Sequence, residues 1–407
     1  MKIKKIPSEF LIASPILKKL NEAHFEAYFV GGSVRDTLLG QPIHDVDIAT
    51  SAFPEEVKRI FTHTVDTGIQ HGTVMILDHG EGYEITTFRT ESGYTDFRRP
   101  DHVRFVRSLS EDLKRRDFTI NALAMTREGE VIDLFDGLND LNAGIIRAVG
   151  DPTERFGEDA LRMMRALRFS AQLGFTIEEQ TCHALATLVP NLEKIAVERI
   201  QVEFEKLMMG KNAAHAIELG ITHQLFNYLP SNMRHWRLSI WQDIRHDLLE
   251  NQPVTIAGIW SYLAVKSGEN SHEVNTLLRE WKLSRTIMRT TTAIVPVVYH
   301  IQAGIIKAWD LFQVADYQDT LLEVLALLPI RSAVIGEVKK ILSDLPIKHA
   351  NELTINGQDL MAHHIVPAGP QLGQMLRRIT EQVVTGELIN DRQVLMNYAR
   401  RWRDEQN

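Results

Sequence analysis

The 407-residue chain has a single cysteine, Cys182. One thiol excludes an intramolecular disulfide and a zinc site built from cysteines, and it suits the reducing cytoplasm. Long hydrophobic runs are also missing, since the most apolar stretch, 291–306, is interrupted by Pro296 and His300. We therefore expect no membrane-spanning helix. The N-terminal apolar run ends in two lysines with no small-residue cleavage site after it, which predicts a helix and not a signal peptide.

A basic excess is missing as well. The chain has 45 Lys and Arg against 53 Asp and Glu, a formal net charge of −8. Taken alone, this balance argues against a nucleic-acid-binding protein. Hydrophobic residues at 44% and charged residues at 24% exclude wholesale disorder. The length predicts roughly two to four domains.

Glycine is concentrated at the start, because residues 1–150 hold 12 of the 24 glycines. The same segment contains strand-length, β-branched runs with two helical pieces between them. The predicted strands are Ala27–Gly31, Asp45–Ala49, Gly72–Leu77, Tyr83–Phe88, Val103–Val106 and Ile145–Ala148, and the helices are Val34–Leu39 and Glu55–Phe61. Beyond residue 151, apolar spacings of three and four predict successive helices, first Glu158–Leu173, Ile177–Leu188 and Val197–Met209. The pattern predicts an α/β head followed by an all-helical remainder.

The first candidate site is the glycine turn Gly31–Gly32–Ser33, between a predicted strand and a predicted helix. Glycines let a phosphate approach the backbone, and the start of a helix favours an anion. An ordinary tight turn would have the same sequence, so by itself this pattern leaves both interpretations open.

Asp45 and Asp47 form the second candidate site. Residues i and i+2 of a strand point to the same face, so the two carboxylates project together and need a counter-cation. Oxygen ligands suit Mg²⁺, and paired metals are the usual means of nucleotidyl transfer. Glu84 is a third carboxylate if its strand lies beside the aspartate strand. The alternatives are a solvated turn for the aspartates and an exposed strand-edge glutamate.

Five motifs in one order carry a family resemblance. They are FVGGSVRDTLLGQPIHDVDIAT (29–50), KRRDFTINALAM (114–125), DLFDGLNDL (133–141), RFGEDALRMMRALRF (155–169) and VERIQVEFEKLM (197–208). Together they resemble the bacterial tRNA nucleotidyltransferase and poly(A) polymerase family, class II of the DNA polymerase β superfamily. A late segment, 354–376, is similar to the tail of the compact Gram-positive-type CCA-adding enzymes.

The resemblance implies an α+β protein. A small mixed-sheet nucleotidyltransferase head over 1–150 precedes a helical neck at 151–212 that recognises the nucleotide base. A helical body at 213–322 and a helical, tRNA-binding tail at 323–407 follow. The expected partners are tRNA, through its 3′ end and acceptor arm, and CTP and ATP, with Mg²⁺ as cofactor and no membrane. A monomer and a homodimer both remain open.

Residue roles carry over from the same motifs. Asp45 and Asp47 match the metal-binding aspartates, and Glu84 matches the third acidic catalytic position. The positions that match nucleotide-binding residues are Gly32, Arg35, Arg116, Asp159, Arg162, Arg165 and Arg168. In the last neck helix Glu198, Arg199 and Glu203 are expected to buttress the nucleotide-binding helix without touching substrate.

Asp159 and Arg162 are expected to select the base. Their spacing makes them neighbours on one face of a helix that begins near Gly157. Cytosine and adenine both present an exocyclic amine beside a ring nitrogen acceptor, so Asp159 would accept from the amine and Arg162 would donate to the ring. Uracil and guanine present the opposite order. An ordinary surface ion pair is the alternative interpretation of this spacing.

A basic loop and the end of the chain bear on which family member this is. Residues 89–116 hold eight basic and five acidic residues. The segment matches the flexible loop of family members that complete the terminal A, whereas a surface hairpin without a role is the alternative. Poly(A) polymerases usually carry a longer basic C-terminal extension, and the sequence ends at Asn407 without one. The expected activity is template-independent addition of C, C and A to tRNA with release of pyrophosphate. The rivals are a poly(A) polymerase, a partial A- or CC-adding enzyme, and a catalytically silent tRNA-binding protein.

Overall fold

A computed structural model describes residues 1–68, 71–78, 80–94 and 100–406 of the chain. The chain divides into two compact units, Met1–His235 and Trp236–Asn407. The domain boundaries predicted near residues 150, 212 and 322 stay predictions.

The first unit contains every strand of the described part of the chain. The strands are β1 Ala27–Val30, β2 Asp47–Thr50, β3 Thr64–Gly68, β4 Thr73–Asp78, β5 Glu81–Thr87, β6 Arg89–Tyr94, β7 Pro100–Phe105, β8 Leu123–Met125, β9 Val131–Asp133, β10 Ile145–Ile146 and β11 Thr176–Ile177. Its helices are α1 Ser8–Glu22, α2 Gly32–Leu38, α3 Pro54–Ile60, α4 Leu109–Lys114, α5 Gly137–Ala143, α6 Pro152–Glu158, α7 Leu161–Leu173, α8 Glu179–Leu188, α9 Val197–Met208 and α10 Ala213–Thr222. Short 3-10 helices cover Thr119–Asn121, Val189–Lys194, Leu225–Tyr228 and Ser231–His235.

Seven strands form one mixed sheet in the order β3-β4-β5-β2-β1-β8-β9. β2 and β5 run parallel, with Ile48 opposite Ile85, whereas the other neighbours are antiparallel. β6 and β7 form a separate hairpin, and β10 pairs with β11 in a third, two-stranded sheet. The mixed sheet confirms the fold class expected for the head.

The core of the head lies between α1 and the sheet. The apolar face of α1 is fully buried through Phe10 and Leu17, which belong to one cluster with Phe29, Ile48 and Ile85. The rings of Phe10 and Phe29 are 4.6 Å apart. Ala49 of β2 belongs to a second buried cluster with Val30 and Phe88, so Asp47, at the start of the strand, is its exposed position.

Three predicted strands differ from those observed. β2 begins at Asp47 and not at Asp45, because its partner β1 ends at Val30, opposite Asp47. The run 145–148 forms only a two-residue strand outside the large sheet, since Arg147 and Ala148 bond to residues 118 and 119 instead. The run 103–106 is the end of β7, in the hairpin.

The second unit consists of helices in the part of the chain that the structure describes. They are α11 Leu238–Glu250, α12 Ile256–Ser267, α13 Ser271–Glu280, α14 Arg285–Gln302, α15 Ala308–Phe312, α16 Gln318–Leu327, α17 Ser332–Asp344, α18 Gly357–Ala362, α19 Pro370–Val384 and α20 Arg392–Gln406, with 3-10 helices at Ala315–Tyr317 and Ala350–Glu352. Trp260 and Trp281 are fully buried, with ring centroids 5.0 Å apart. In neither unit is a described helix both long enough and apolar enough to cross a membrane.

Candidate active site

A cavity of about 800 Å³ lies in the first unit and brings together residues from distant parts of the sequence. Nine of the ten predicted site residues line it, namely Gly32, Arg35, Asp45, Asp47, Arg116, Asp159, Arg162, Arg165 and Arg168. The tenth, Glu84, lines an adjoining cavity of about 640 Å³ that also contains Asp45 and Asp47. We call the first the nucleotide cavity and the second the adjoining cavity.

The glycine turn brings the backbone close to two charged groups. Gly31 follows β1 and has a φ of 72°, a conformation that residues with a Cβ atom rarely adopt. A Cβ atom at this position would lie 3.0 Å from Nη1 of Arg116 and 3.7 Å from Oδ2 of Asp47. The absence of a side chain at Gly31 therefore leaves room for both the Arg116 guanidinium and the Asp47 carboxylate beside the turn.

The adjoining cavity beside this turn is lined by acidic residues that include Asp45, Asp47 and Glu84. Asp47 is the first residue of β2, and the pairing of Ile48 with Ile85 places Glu84 next to it on the neighbouring strand. Asp45 precedes the strand, so its side chain joins Asp47 from a loop and not from the strand position that the sequence predicted. The pKa of Asp47 is raised, chiefly by desolvation, with the charges of Glu84 and Asp45 adding to the rise against the opposing Arg116.

These carboxylates fit a magnesium ion that is completed by other ligands. Asp45 and Asp47 have no hydrogen-bond or ion-pair partner among the described residues. Within the same part of the chain, no three His, Cys, Asp or Glu side chains are gathered to hold a metal alone. Mg²⁺ in nucleotide sites typically takes one or two carboxylates and completes its shell with water and phosphate oxygens. Two aspartates at the edge of an arginine-lined cavity match that donor set.

A chain of hydrogen bonds links the turn to the helix α7. Arg35, on α2, is 8% exposed and donates from Nη1 to Oδ1 of Asn121 at 2.7 Å. Asn121 donates to Asp117 at 3.1 Å, and Asp117 accepts from Nε of Arg165 at 2.7 Å. Burial alone would raise the pKa of Asp117, but the charge and hydrogen bonds of Arg165, together with Asn121, hold it well below its usual range. Asp117 is therefore ionised and fixes Arg165.

Asp159 does not lie on a continuous helix, contrary to the sequence prediction. α6 ends at Glu158, Asp159 has extended backbone angles (φ −139°, ψ 102°), and α7 begins at Leu161. Its Oδ1 accepts a hydrogen bond from the Leu161 backbone N–H at 3.1 Å, and this local bond replaces a helical turn. The break turns the carboxylate away from the helix surface.

The surface ion pair between Asp159 and Arg162, the alternative interpretation of their spacing, is absent from the described part of the structure. Asp159 instead accepts from Arg199 of α9, at 2.7 Å to Oδ2. Arg162 donates from Nη1 to Glu158 at 2.9 Å and from Nη2 to the Arg115 carbonyl at 3.0 Å. Both side chains line the nucleotide cavity. Arg199 therefore orients the Asp159 carboxylate, and Glu158 orients the Arg162 guanidinium.

Arg165 and Arg168, the other arginines of α7, both contact Glu203 of α9 and the ring of Phe169. Nε of Arg168 lies 2.5 Å from Glu203 of α9, and Nη1 of Arg165 lies 3.6 Å from the same residue. The guanidinium carbon of Arg168 lies 3.9 Å from the centroid of the Phe169 ring. The guanidinium carbon of Arg35, on α2, lies 5.0 Å from the same centroid. Cation–π contacts of this kind stabilise desolvated arginines. Glu203 thus contacts α7, and Arg199 contacts Asp159 and also lines the nucleotide cavity, so the buttressing role of Glu198, Arg199 and Glu203 stays a prediction.

The basic loop 89–116 is only partly covered by the structure. β6 and β7 belong to it, whereas residues 95–99 lie outside the described residues. At its base, Arg115 donates to Glu91 at 3.2 Å and to the fully buried Asp112 at 2.8 Å. Asp112 also accepts from Arg116 at 3.3 Å. The hairpin is thereby tied to an arginine of the nucleotide cavity.

Sequence reasoning missed several residues that shape the cavity. They are Asp112, Asp117 and Asn121. Asp117 and Asn121 lie inside the motif 114–125, so their place in that run was an available signal. Nothing in the local sequence separates Asp112 from a surface acid at the end of a charged helix.

Comparison with known proteins places the chain among nucleotidyltransferases. Three family models match it, described as the poly A polymerase head domain over residues 27–147, the probable RNA and SrmB-binding site of polymerase A over 174–234, and a putative tRNA nucleotidyltransferase domain 2 over 252–399. The CCA-adding enzyme of Leuconostoc mesenteroides is 54% identical over 407 residues, covering 100% of both chains. That of Leuconostoc citreum is 55% identical over 400 residues, covering 98% of each.

Solved structures agree with this placement. A crystal structure of the Bacillus stearothermophilus CCA-adding enzyme in complex with CTP matches 99% of this chain and 100% of its own, with a TM-score of 0.82 and 37% identity. The Thermotoga maritima CCA-adding enzyme complexed with tRNA shares the fold, with a TM-score of 0.67 and 21% identity over 97% of this chain and 96% of its own.

Proposed function

The chain belongs to the CCA-adding enzymes, the tRNA nucleotidyltransferases, and from that premise we propose that it adds C, C and A in turn to the 3′ end of tRNA. The substrates are CTP and ATP, and selection of the base needs no nucleic-acid template. The observation that supports this most directly is the nucleotide cavity, which unites Asp45 and Asp47 with Asp159 and Arg162. It offers a place for phosphate transfer and a place for base selection in one space.

In each cycle the 3′-hydroxyl oxygen of the RNA bonds to the α-phosphorus of CTP or ATP. The bond from that phosphorus to the bridging oxygen breaks, pyrophosphate leaves and the hydroxyl proton passes to solvent. We propose that Asp45 and Asp47 hold two Mg²⁺ ions, as the family resemblance implies, with Glu84 as the third acid. Bound Mg²⁺ would lower the pKa of the attacking hydroxyl and neutralise charge on the phosphates.

The residues of the chain bind and orient the triphosphate. Arg35 and Arg116 supply positive charge beside the glycine turn, where the backbone of Gly32 is open to a phosphate. Arg35 is held by Asn121 and by an ion pair with Asp36 at 2.7 Å, so little freedom is lost when a ligand arrives. Preorganised charge of this kind accounts for most of the catalysis in phosphoryl transfer.

Base selection is proposed for Asp159 and Arg162. Asp159 accepts from the exocyclic amine of cytosine or adenine, and Arg162 donates to the adjoining ring nitrogen. Arg199 directs the Asp159 carboxylate and Glu158 directs the Arg162 guanidinium. Because Arg199 and Glu158 hold these two side chains in place, the hydrogen-bond acceptor of Asp159 and the donor of Arg162 keep fixed positions in the cavity.

The test is to incubate the full chain with Mg²⁺ and a tRNA that lacks its last three nucleotides, supplying each NTP alone and then CTP with ATP. We expect two C residues with CTP, one further A with ATP, and no extension beyond that point. A long A tract would instead identify a poly(A) polymerase, and a product that ends at C-C would identify a partial enzyme. Pyrophosphate released in equal amount to nucleotide incorporated checks the reaction itself.

A further inference from the structure

Phe169 is the only phenylalanine, tyrosine or tryptophan among the described residues that line the nucleotide cavity. It lies on α7 and is 3% exposed. The guanidinium carbons of three arginines lie close to the centroid of its ring, at 3.9 Å for Arg168, 5.0 Å for Arg35 and 5.5 Å for Arg165. All three arginines also line the cavity. One ring is therefore shared by three of its positive charges.

The three arginines come from separate parts of the fold. Arg35 lies on α2, the helix that follows the glycine turn, whereas Arg165 and Arg168 lie on α7. Each has an acidic partner, namely Asp36 for Arg35, Asp117 for Arg165 and Glu203 for Arg168. In the described part of the chain no acid forms an ion pair with all three. The ion pairs thus place the arginines separately, whereas the Phe169 ring contacts all of them.

Positive charge is costly to bury at this ring. Arg35 and Arg168 are both buried, so they have lost most of their contact with water. Burial lowers the pKa of Arg168, Glu203 opposes that fall, and the neighbouring charge of Arg165 adds to it. The face of an aromatic ring is negative and attracts a cation, most strongly where water is excluded. The Phe169 ring therefore offsets part of the repulsion among the three arginines.

Phe118 holds the Phe169 ring in its orientation. The two ring centroids are 5.8 Å apart, and the ring planes are nearly perpendicular, at 85°. Perpendicular aromatic rings at this distance attract one another. Phe118 is fully buried and follows Asp117, the partner of Arg165, in the sequence. The ring is therefore fixed by packing within the chain itself and needs no ligand to orient it.

The contacts of Arg168 indicate what remains for a ligand. Arg168 donates from Nε to Glu203 and from Nη1 to Gln172, and its Nη2 has no hydrogen-bond partner among the described residues. A guanidinium has five N–H groups, so donors remain after these bonds are made.

We propose that Phe169 is a positioning residue, whose ring holds Arg35, Arg165 and Arg168 where their remaining N–H groups bind the nucleotide. The inference rests on the proposed function. It assigns the ring no contact with the reacting atoms, because its effect passes through the arginines.

The test changes the charge distribution of the ring and keeps its shape. Phe169 is replaced in the full chain by phenylalanines that carry one, two and three fluorine atoms, since each fluorine makes the ring face less negative at nearly constant volume. We expect the Kd of CTP and of ATP, measured without tRNA, to rise step by step, to about tenfold for the ring with three fluorines, because cation–π contacts weaken. A ring that serves only as core packing would leave both Kd values unchanged.

Phe156 provides the matched control. It is fully buried on α6, does not line the nucleotide cavity and has no cation over its ring in the part of the chain that the structure describes. The same fluorine series at Phe156 should leave the Kd of CTP and of ATP unchanged. Constant Kd values along the series at Phe169, or an equal rise at Phe156, would overturn the inference.

The choice among nucleotides gives a second readout. The arginines at the Phe169 ring are distinct from Asp159 and Arg162, the pair proposed to read the base. CTP and ATP should therefore weaken in parallel along the series, while discrimination against UTP stays unchanged. Loss of that discrimination together with affinity would contradict the positioning role, because it would mean a general loosening of the cavity. Failure of the proposed function is recognised separately, since the unaltered chain would then not add C-C-A to a tRNA that lacks its last three nucleotides.

Discussion

Arg199 donates two hydrogen bonds to the carboxylate of Asp159, from Nη1 to Oδ1 at 3.2 Å and from Nη2 to Oδ2 at 2.7 Å. The two residues lie on different elements, α9 and the break between α6 and α7. Bidentate arginine–carboxylate pairs fix direction as well as distance. The acceptor that we propose to read the base is therefore aimed by a residue 40 positions away in the sequence.

Loss of either residue should weaken base selection. Asp159→Ala removes the acceptor, so we expect discrimination against UTP and GTP to relax by about 100-fold, the value of a charged hydrogen bond. Arg199→Met keeps the acceptor but frees its orientation, and roughly a tenfold loss is expected. The measurement is kcat/KM for each NTP on tRNA ending before the first C. Arg234→Met, which breaks the ion pair with Glu193, serves as control and should leave selectivity unchanged.

The aspartates that we propose to bind the metals give a prediction that separates chemistry from folding. Asp45→Ala and Asp47→Ala should each abolish incorporation of both C and A, because the metal ions that we propose they hold would act at the phosphate in every cycle. Both residues are accessible to solvent at the edge of the cavity, and loss of the partly desolvated carboxylate of Asp47 removes an unfavourable charge, so the melting temperature should not fall. Asp66→Ala, at an exposed ion pair with Lys58, is the control and should retain full activity. Near-normal turnover in either variant would contradict the metal assignment.

Much of the site was predictable because its residues belong to local motifs. Asp45, Asp47 and Arg35 are identified by a run of 22 residues, 29–50, and the structure places all three at one cavity. Glu84 was predicted on the condition that its strand lies beside the aspartate strand, and β5 does pair with β2. The motifs that carry the family resemblance therefore supplied most of the information about the site residues of the head.

The remainder depends on contacts that no local pattern records. The spacing of Asp159 and Arg162 fits a continuous helix, whereas at the break between α6 and α7 the Asp159 side chain accepts a hydrogen bond from the backbone N–H of Leu161. The preference of Asp159 for Arg199 follows from the packing of α7 against α9. In the same way, Asn121 joins Arg35 to Asp117 only after the chain has folded.

Asp117 should make stability depend on pH in the acid range. Its pKa is depressed in the folded state, mainly because Arg165 outweighs the effect of burial. The stabilisation is therefore complete above the unfolded pKa of about 3.9 and is lost as the pH falls towards the folded value. Asp117→Asn should cost roughly 3 kcal/mol at pH 6, because it removes the closer of the two acids that pair with Arg165 and leaves only Glu203.

Urea unfolding at several pH values measures this effect. The difference in unfolding free energy between the unaltered chain and Asp117→Asn should be about 1 kcal/mol smaller at pH 3 than at pH 6. Asp66→Asn removes an exposed carboxylate and should show no such trend beyond about 0.5 kcal/mol. A difference that does not vary with pH would mean that Asp117 is not held ionised by Arg165.

Gly31 provides the sharpest test of the geometry at the turn. Two effects combine in Gly31→Ala: a φ of 72° that strains any residue with a Cβ atom, and a contact of 3.0 Å with Nη1 of Arg116. Gly150→Ala isolates the first effect, because Gly150 has a φ of 73° and no atom within 4 Å of the added Cβ. Each variant should lose about 1–2 kcal/mol of stability from backbone strain. Displacement of Arg116 should in addition raise the KM of CTP and ATP about tenfold in Gly31→Ala alone, since it removes a phosphate-binding charge. The same KM in both variants would show that Arg116 does not hold the triphosphate at this turn.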